Sequence, residues 1–477
     1  MSPEILSSQE ATIIMYEQLP LLVDSHAHLD GEKFANDLDE TVERATANGI
    51  SHILTIGCDL KSSAKSIAVA EKYENIFAAV GVHPHDATEI DTDSLAQLRS
   101  MLTHPKVVAL GEIGLDYYRD RSPRDIQRNA FRQQIRLARD VGKPIIVHDR
   151  DAHEDVIQTL IKENAAATGG VLHCFSGDLK MAQQCLDLGF YLSFTGTITY
   201  PKNAEIREII KAIPIDKMLV ETDCPYLSPQ KFRGKRNEPA YVRYTAEKLA
   251  DVKGLTIEDV ARITSRNCYD LFGFGSVDQN SKIAYQIRDS LYLNITNRCT
   301  NSCIFCAKFS DFVVKGHELK LDHEPSATEV KQVIGDPTRY AEIVFCGYGE
   351  PLLRLDLIKE VSLWLKDQGV PVRINTDGQA NLVHGRNILP ELVGLIDSIS
   401  ISLNAPDAEH YHHLCRSTYG AQQSYQAVKD FIQQADQYIP DVLATAVTYP
   451  GVDVAACEQV AKDLGVEFRA REYNEVG

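Results

Sequence analysis

Between residues 21 and 223, eight short apolar runs recur, and amphipathic stretches lie between them. They read LLVDSHAH, SHILTIG, IFAAVGVH, VVALGEIG, PIIVHD, GGVLHCF, FYLSFTG and KMLVETD. Short apolar runs of this kind form strands. An intervening segment such as RDIQRNAFRQQIRLARDVG repeats its apolar positions every 3.6 residues and closes on a glycine, as a helix does. Eight strands alternating with helices predict a closed parallel (β/α)8 barrel of about 250 residues. This places a first domain over 21–275, behind an extension of residues 1–20.

GSVDQNSK then interrupts the rhythm; it is polar and aperiodic, and 276–282 reads as a linker. A second alternation follows with SLYLNIT, EIVFCGYG, PVRINTDG, SISISLN, VLATAVTY and EFRAREY. Six strands predict an open, partial (β/α)6 barrel over 283–477. The fold class is α/β throughout. The halves share a rhythm but no motif, so no internal repeat is assigned.

Composition narrows the partners. A net charge of −18 repels bulk polyanions, so any nucleic-acid contact must be local and basic. The candidate is Arg233-Gly-Lys235-Arg236, which composition alone reads as a solvated surface loop. Residues 1–20 contain three Glu and no Lys or Arg, the opposite of a secretory or mitochondrial leader. The sequence has no uninterrupted apolar run long enough to span a membrane. Eleven cysteines, scattered except for one triplet, fit a reducing cytoplasm rather than a disulfide framework.

Polar residues collect at the C-terminal ends of the first set of strands, where barrel enzymes place their chemistry. His26 and His28 are two apart on a strand and project to one side. Glu112, His148, His173 and Asp223 end the fourth, fifth, sixth and eighth runs. Singly, each reads as a satisfied polar group at a barrel mouth. Together they form a nitrogen and oxygen donor set suited to a hydrolytic pair of zinc, magnesium or manganese ions, with a carboxylate bridging.

SHAHLD, GVHPH, GEIGLDYY, VHDR, HCFSG, ETDCPYL and RGKRNEPAYV resemble, in order and spacing, the TatD-type metal-dependent deoxyribonucleases. The resemblance covers about 21–272. It implies one ion held by His26, His28 and Asp223, a second by His148 and His173, and Glu112 bridging them. Asp223 would also take a proton from the attacking water, and His83 would be an outer-shell or phosphate-contacting group. The family acts on DNA ends, which gives Arg233, Lys235 and Arg236 phosphates to neutralise. A small-molecule amidohydrolase with the same ligands is the alternative.

The triplet is CTNSCIFC, with Cys299, Cys303 and Cys306 just after the strand SLYLNIT. Three thiols fit a [4Fe–4S] cluster with one open iron, or a zinc site completed by His317 or His323. LNITNRCTNSCIFC with FCGYGEPLL, RINTDG and ISLNA resembles the radical S-adenosylmethionine enzymes, closest to a TatD-associated branch. That resemblance covers about 283–477. It implies a cluster on the three cysteines, S-adenosylmethionine at the open iron and an electron donor as partner. Phe305 would pack beside the adenine, Gly349 and Glu350 would meet the methionine end, and Asn375, Ser402 and Asn404 would hold ribose and carboxylate. Cys346 and Cys415 read as buried inert thiols or as relay thiols. The whole chain is expected to be a fusion of two enzymes, the alternative for either half being a non-catalytic scaffold.

Overall fold

In the computed structural model, which describes residues 20–275, 281–309 and 312–473, each of the eight apolar runs of the first half contains a strand. Residues 1–19 of the expected extension and 276–280 of the expected linker lie outside the described residues. The chain divides into two compact units, Met1–Val277 and Asp278–Gly477.

The first unit is a single parallel sheet in sequential order. Its strands are β1 (Leu22–Ala27), β2 (Ile50–Ile56), β3 (Ile76–Val80), β4 (Val107–Asp116), β5 (Ile145–Arg150), β6 (Gly170–Leu172), β7 (Tyr191–Phe194) and β8 (Met218–Val220). The ring closes just past the last strand. His28 N donates to Cys224 O at 2.8 Å and Asp223 N to His26 O at 2.9 Å. Closure thus lays the segment carrying Asp223 directly along the two histidines. Helices cover the outside, among them Arg124–Val141, which stops at Gly142 with φ 67°. Val23, Leu54, Ala79, Ile146, Val171 and Leu219 form a buried cluster with Phe272 and Phe274, at and just beyond the end of helix Ile257–Phe272. Burying each such side chain contributes about 1.5–3 kcal/mol.

The second unit carries β9 (Ala284–Ile287), β10 (Ser290–Leu293), β11 (Val313–Val314), β12 (His317–Glu318), β13 (Glu342–Phe345), β14 (Val372–Thr376), β15 (Ser398–Ser402), β16 (Asp441–Val447) and β17 (Glu467–Arg471). Six parallel strands run β10, β13, β14, β15, β16, β17, and β9 is added antiparallel to β10. The expected six strands are therefore joined by a seventh. Its connection to β10 is Arg288-Asp289, with Arg288 at φ 57°. That turn lacks the glycine or asparagine that marks a tight hairpin in sequence.

Alternation along these strands sorts their residues cleanly. Leu291, Leu293, Ile343, Phe345, Ile374 and Ile399 pack into one core with the flanking helices. The intervening positions face the concave side. Among the described residues no helix is long and apolar enough to cross a membrane.

Candidate metal centre and cysteine loop

The structure brings His26, His28, Glu112, His148, His173 and Asp223 together at the C-terminal ends of the barrel strands. Glu112 stands at their centre, buried within β4. Its Oε2 faces His26 Nε2 at 3.6 Å and His28 Nε2 at 3.8 Å. Asp223 Oδ1 completes that group, 3.2 Å from His28 Nε2 and 3.8 Å from His26 Nε2. Glu112 Oε1 faces the other way, 2.6 Å from His148 Nδ1 and 2.9 Å from His173 Nε2. Those two histidine nitrogens are 3.4 Å apart. Donors held about 2.0–2.2 Å from a shared cation stand at separations of this order.

A layer of partners aims the imidazoles. His28 Nδ1 lies 3.2 Å from Ile56 O, which turns Nε2 toward Asp223. His173 Nδ1 lies 3.3 Å from Glu221 Oε1, which also accepts from Cys174 N at 2.7 Å. His148 Nε2 is 3.4 Å from Asp116 Oδ2, and His85 Nε2 meets the same oxygen at 2.8 Å. Beneath the site, Asp24 accepts from Thr222 N at 2.9 Å and from Thr222 Oγ1 at 2.5 Å. Burial pushes the Asp24 carboxyl up to about 8 against those bonds. A side chain at Gly114 would meet His148 O at 2.0 Å, so glycine there is what allows β4 and β5 to approach at the site.

Charge inside the cluster is mutual. Burial alone would raise the Glu112 carboxyl, but the charges of His173 and His83 with bonds from His148 and His173 hold it well below the usual range. Burial lowers His26, helped by His173 stacked 4.0 Å away, and so keeps it neutral as a ligand must be. His83 sits with Nε2 3.6 Å from Glu112 Oε1, flanking the second group.

Sequence reasoning passed over Cys58, whose Sγ lies 3.9 Å from Glu112 Oε2 and 3.7 Å from His28 Nδ1. It is the second residue past the end of β2, one beyond the run as read. Glu221, Asp116 and His85 were also missed as site residues, although each lies within a quoted motif, ETDCPYL, GEIGLDYY and GVHPH respectively.

The basic loop divides. Arg233 and Lys235 are exposed. Arg236 is not available as expected. Both its terminal nitrogens bind Asp37, at 2.7 and 2.6 Å, one also binds Lys33 O at 2.6 Å, and the guanidinium lies over the Phe34 ring. Its place among the phosphate contacts gives way to holding the loop. Tyr226, 55% exposed, stands edge-on to His28 beside the centre, with Lys33 Nζ 5.1 Å from its ring centroid.

In the second unit, Cys299, Cys303 and Cys306 follow β10, all half-buried. The loop is pinned by Ser302 N to Cys415 O and Ile304 N to Leu414 O, both 2.9 Å, and by Thr418 N to Thr300 O at 3.0 Å. Cys415 is fully buried, and its thiol lies against that of Cys303. His317 approaches Gln286 O at 3.3 Å and His323 pairs with Glu329 at 2.8 Å, so both histidines of the zinc alternative are engaged.

The GYGE turn packs closely on the chain itself. A side chain at Gly349 would meet Thr296 O at 2.1 Å, and one at Gly347 would meet Asn294 Oδ1 at 2.3 Å. These glycines let the turn pack on the residues that lead into the cysteine loop. Glu350 is buried and accepts from Leu352 N at 2.9 Å, Thr376 Oγ1 at 2.8 Å and Asp377 N at 2.7 Å. Its carboxylate is thus engaged by the chain, which leaves little of it to accept from a cofactor's ammonium. Asp377 in turn accepts from Thr300 Oγ1 at 2.7 Å and has Cys299 Sγ at 3.9 Å. Phe305 packs on the core and against Tyr449, with ring centroids 5.7 Å apart. Asn375 accepts from Arg373 at 2.8 Å; Asn404 is buried with Nδ2 3.8 Å from Cys415 Sγ; Ser402 ends β15 on the concave side.

An eight-stranded parallel barrel with histidines and carboxylates converging at its C-terminal mouth defines a metal-dependent hydrolase. The chain belongs to the TatD related DNase family, whose model matches residues 23–273, and residues 293–464 match the radical SAM superfamily. It is 47% identical over 252 residues to the uncharacterized metal-dependent hydrolase YabD of Bacillus subtilis, covering 53% of this chain and 99% of that one. The 3′-5′ ssDNA/RNA exonuclease TatD of Citrobacter rodentium is 35% identical over 257 residues, 53% of this chain and 98% of its own. The crystal structure of the TatD homologue YjjV from Escherichia coli superposes with a TM-score of 0.51 at 32% identity, covering 53% of this chain and 98% of that one.

Proposed function

We propose that the barrel hydrolyses phosphodiester bonds of single-stranded nucleic acid with two divalent ions, and that the second unit cleaves S-adenosylmethionine reductively on a [4Fe–4S] cluster. The observation that carries the first reading is the division of Glu112, one oxygen toward each group of donors. His26, His28 and Asp223 would hold one ion, His148 and His173 the other, and Glu112 both. Two such ions would polarise the scissile phosphate and activate water between them. Asp223 is the more open of the two carboxylates, with 14% of its side chain exposed against 4% for Glu112. Burial would raise it, but bonding and charge from His28 bring it below its ordinary value; its greater exposure is what would place it to take the water's proton. Arg233 and Lys235 would meet backbone phosphates, and Tyr226 would stack on a base.

In the second unit the three thiols are the donor type that iron–sulfur clusters use, and their number leaves one iron open. A cluster there would supply one electron to cleave the cofactor. Thr300, Asp377 and Glu350 would hold the Cys299 end of the loop, and Cys415 the Cys303 end.

Phosphodiesterase activity on single-stranded DNA with Mg²⁺ or Mn²⁺, abolished by Glu112→Ala, is the expected result. Turnover of small esters or amides, with none on DNA, would reassign the barrel to small-molecule hydrolysis. For the second unit, anaerobic reconstitution, reductant and S-adenosylmethionine should yield 5′-deoxyadenosine; none from an intact cluster would leave a scaffold.

A further inference from the structure

The concave face of the second unit's sheet ends in arginine. Parallel register aligns Tyr292 with Val344, Val344 with Arg373, Asn375 with Ser400, Ser402 with Thr445, Thr445 with Arg469 and Val447 with Arg471. The alternate residues of the same strands are the apolar core beneath the helices. Three guanidinium groups therefore share one polar face.

Arg373 is neutralised there. Its Nε and Nη2 bind Glu342 at 3.0 and 2.7 Å, and its Nη1 binds Asn375 at 2.8 Å. Arg469 lies within electrostatic reach of the same Glu342, so one carboxylate answers two cations. Glu467 shares the face but opens β17 at its opposite end, exposed. Among the described residues Arg471 has no carboxylate partner. Its Nε is buried without a hydrogen-bond partner among the described residues, and the groups around it are Arg469, Cys346, Cys303 and Tyr292. Arg471 is half-buried, and a guanidinium does not deprotonate, so its unsatisfied Nε–H and unanswered charge favour a ligand that supplies the anion.

We infer that Arg471 and Arg469 bind an oxyanion, a phosphate or carboxylate, of a molecule seated on this concave face beside the cysteine loop. Arg471 supplies the fork that matches two oxygens, and Arg469 adds a second cation two residues earlier on the same strand. Asn375, Ser400 and Ser402 offer neutral hydrogen bonds across the face. The anion belongs either to the molecule on which the radical half acts or to the carboxylate of S-adenosylmethionine. The site stands on the register alone; calling its occupant a substrate rests on the radical reading of this unit.

The test titrates the anaerobically reconstituted full chain by calorimetry with inorganic pyrophosphate and, separately, with S-adenosylmethionine. Wild type is compared with Arg471→Gln and Arg469→Gln, which share an identical barrel, so anions held there cancel. Loss of a charged hydrogen bond should weaken binding at least about tenfold. A fall for pyrophosphate with S-adenosylmethionine unchanged assigns the anion to the substrate; a fall for S-adenosylmethionine assigns it to the cofactor. Unchanged binding of both, in variants that retain iron and circular dichroism, overturns the proposal. Arg469 is exposed, so its variant keeps the test open should Arg471→Gln not fold. Loss of iron in wild type would refute the cluster reading instead, a separate signal.

Discussion

Glu112 Oε1 lies 2.6 Å from His148 Nδ1, while the other oxygen of the same carboxylate, 3.6 Å from His26 Nε2, turns toward the opposite histidines. One side chain thereby joins two donor groups that come from strands at different points around the barrel. Glu112→Gln keeps the shape and removes the charge. Metal content should fall from about two equivalents to one or fewer, and DNA hydrolysis by more than the 10–100-fold typical of outer partners. Elemental analysis alongside a nuclease assay reads both.

Glu221 touches no proposed substrate and acts through His173. Glu221→Gln should weaken the second ion by roughly 10–100-fold with the fold intact. A metal titration at constant Tm checks this. An unchanged titration would show that the Cys174 amide interaction, not the imidazole, is what Glu221 serves.

Arg236 and Lys235 should behave oppositely despite adjacency. Lys235→Ala should leave Tm alone and reduce the salt slope of DNA binding by about 0.7, one phosphate's share on a single strand. Arg236→Ala should lower stability by about 1 kcal/mol with little change in slope. Bonds from Arg236 bring Asp37 from 3.8 down to about 2. A carboxylate lowered on folding stabilises above its unfolded value, so this contribution is present above about pH 4 and lost as pH falls toward 2. Thermal melts of wild type and Arg236→Ala should converge across that window.

Gly349→Ala would place a methyl 2.1 Å from Thr296 O. Such overpacking costs about 1–3 kcal/mol. The variant should melt earlier and lose iron on reconstitution, even before any cofactor is added. Normal iron retention would move the role of this glycine back to cofactor approach.

Cys415 adjoins Cys303 yet is fully buried. Cys415→Ala should retain about four iron equivalents, whereas serine at Cys299, Cys303 or Cys306 should not. Iron analysis and the electron paramagnetic resonance signal of the reduced cluster separate the two behaviours.

Periodicity made the barrel legible because strand and helix repeats are local properties of the chain, and all eight runs contain the strands they announced. β9 was not legible: its four residues and glycine-free turn carry no local signal, and only pairing with β10 makes them a strand. The metal donors could be gathered from the sequence because chemistry in a barrel sits at one end of every strand, so position along the run already implies proximity. The cysteine triplet was legible for the same reason of short spacing.

Tertiary structure decided the rest. Whether Arg236 meets solvent or Asp37 depends on a helix start some 200 residues earlier, and no spacing encodes that. Glu350 and Gly349 are expected at the cofactor's methionine end, and packing gives each a further role: the carboxylate accepts from Leu352 N, Thr376 Oγ1 and Asp377 N, and the glycine lies against Thr296. Arg469 and Arg471 lie in EFRAREY, which the sequence marks only as a strand; sheet register turns them onto a shared face where, among the described residues, one carboxylate answers two of the three arginines. Local patterns determine what a segment forms and which residues end it. Long-range packing determines which charges find partners.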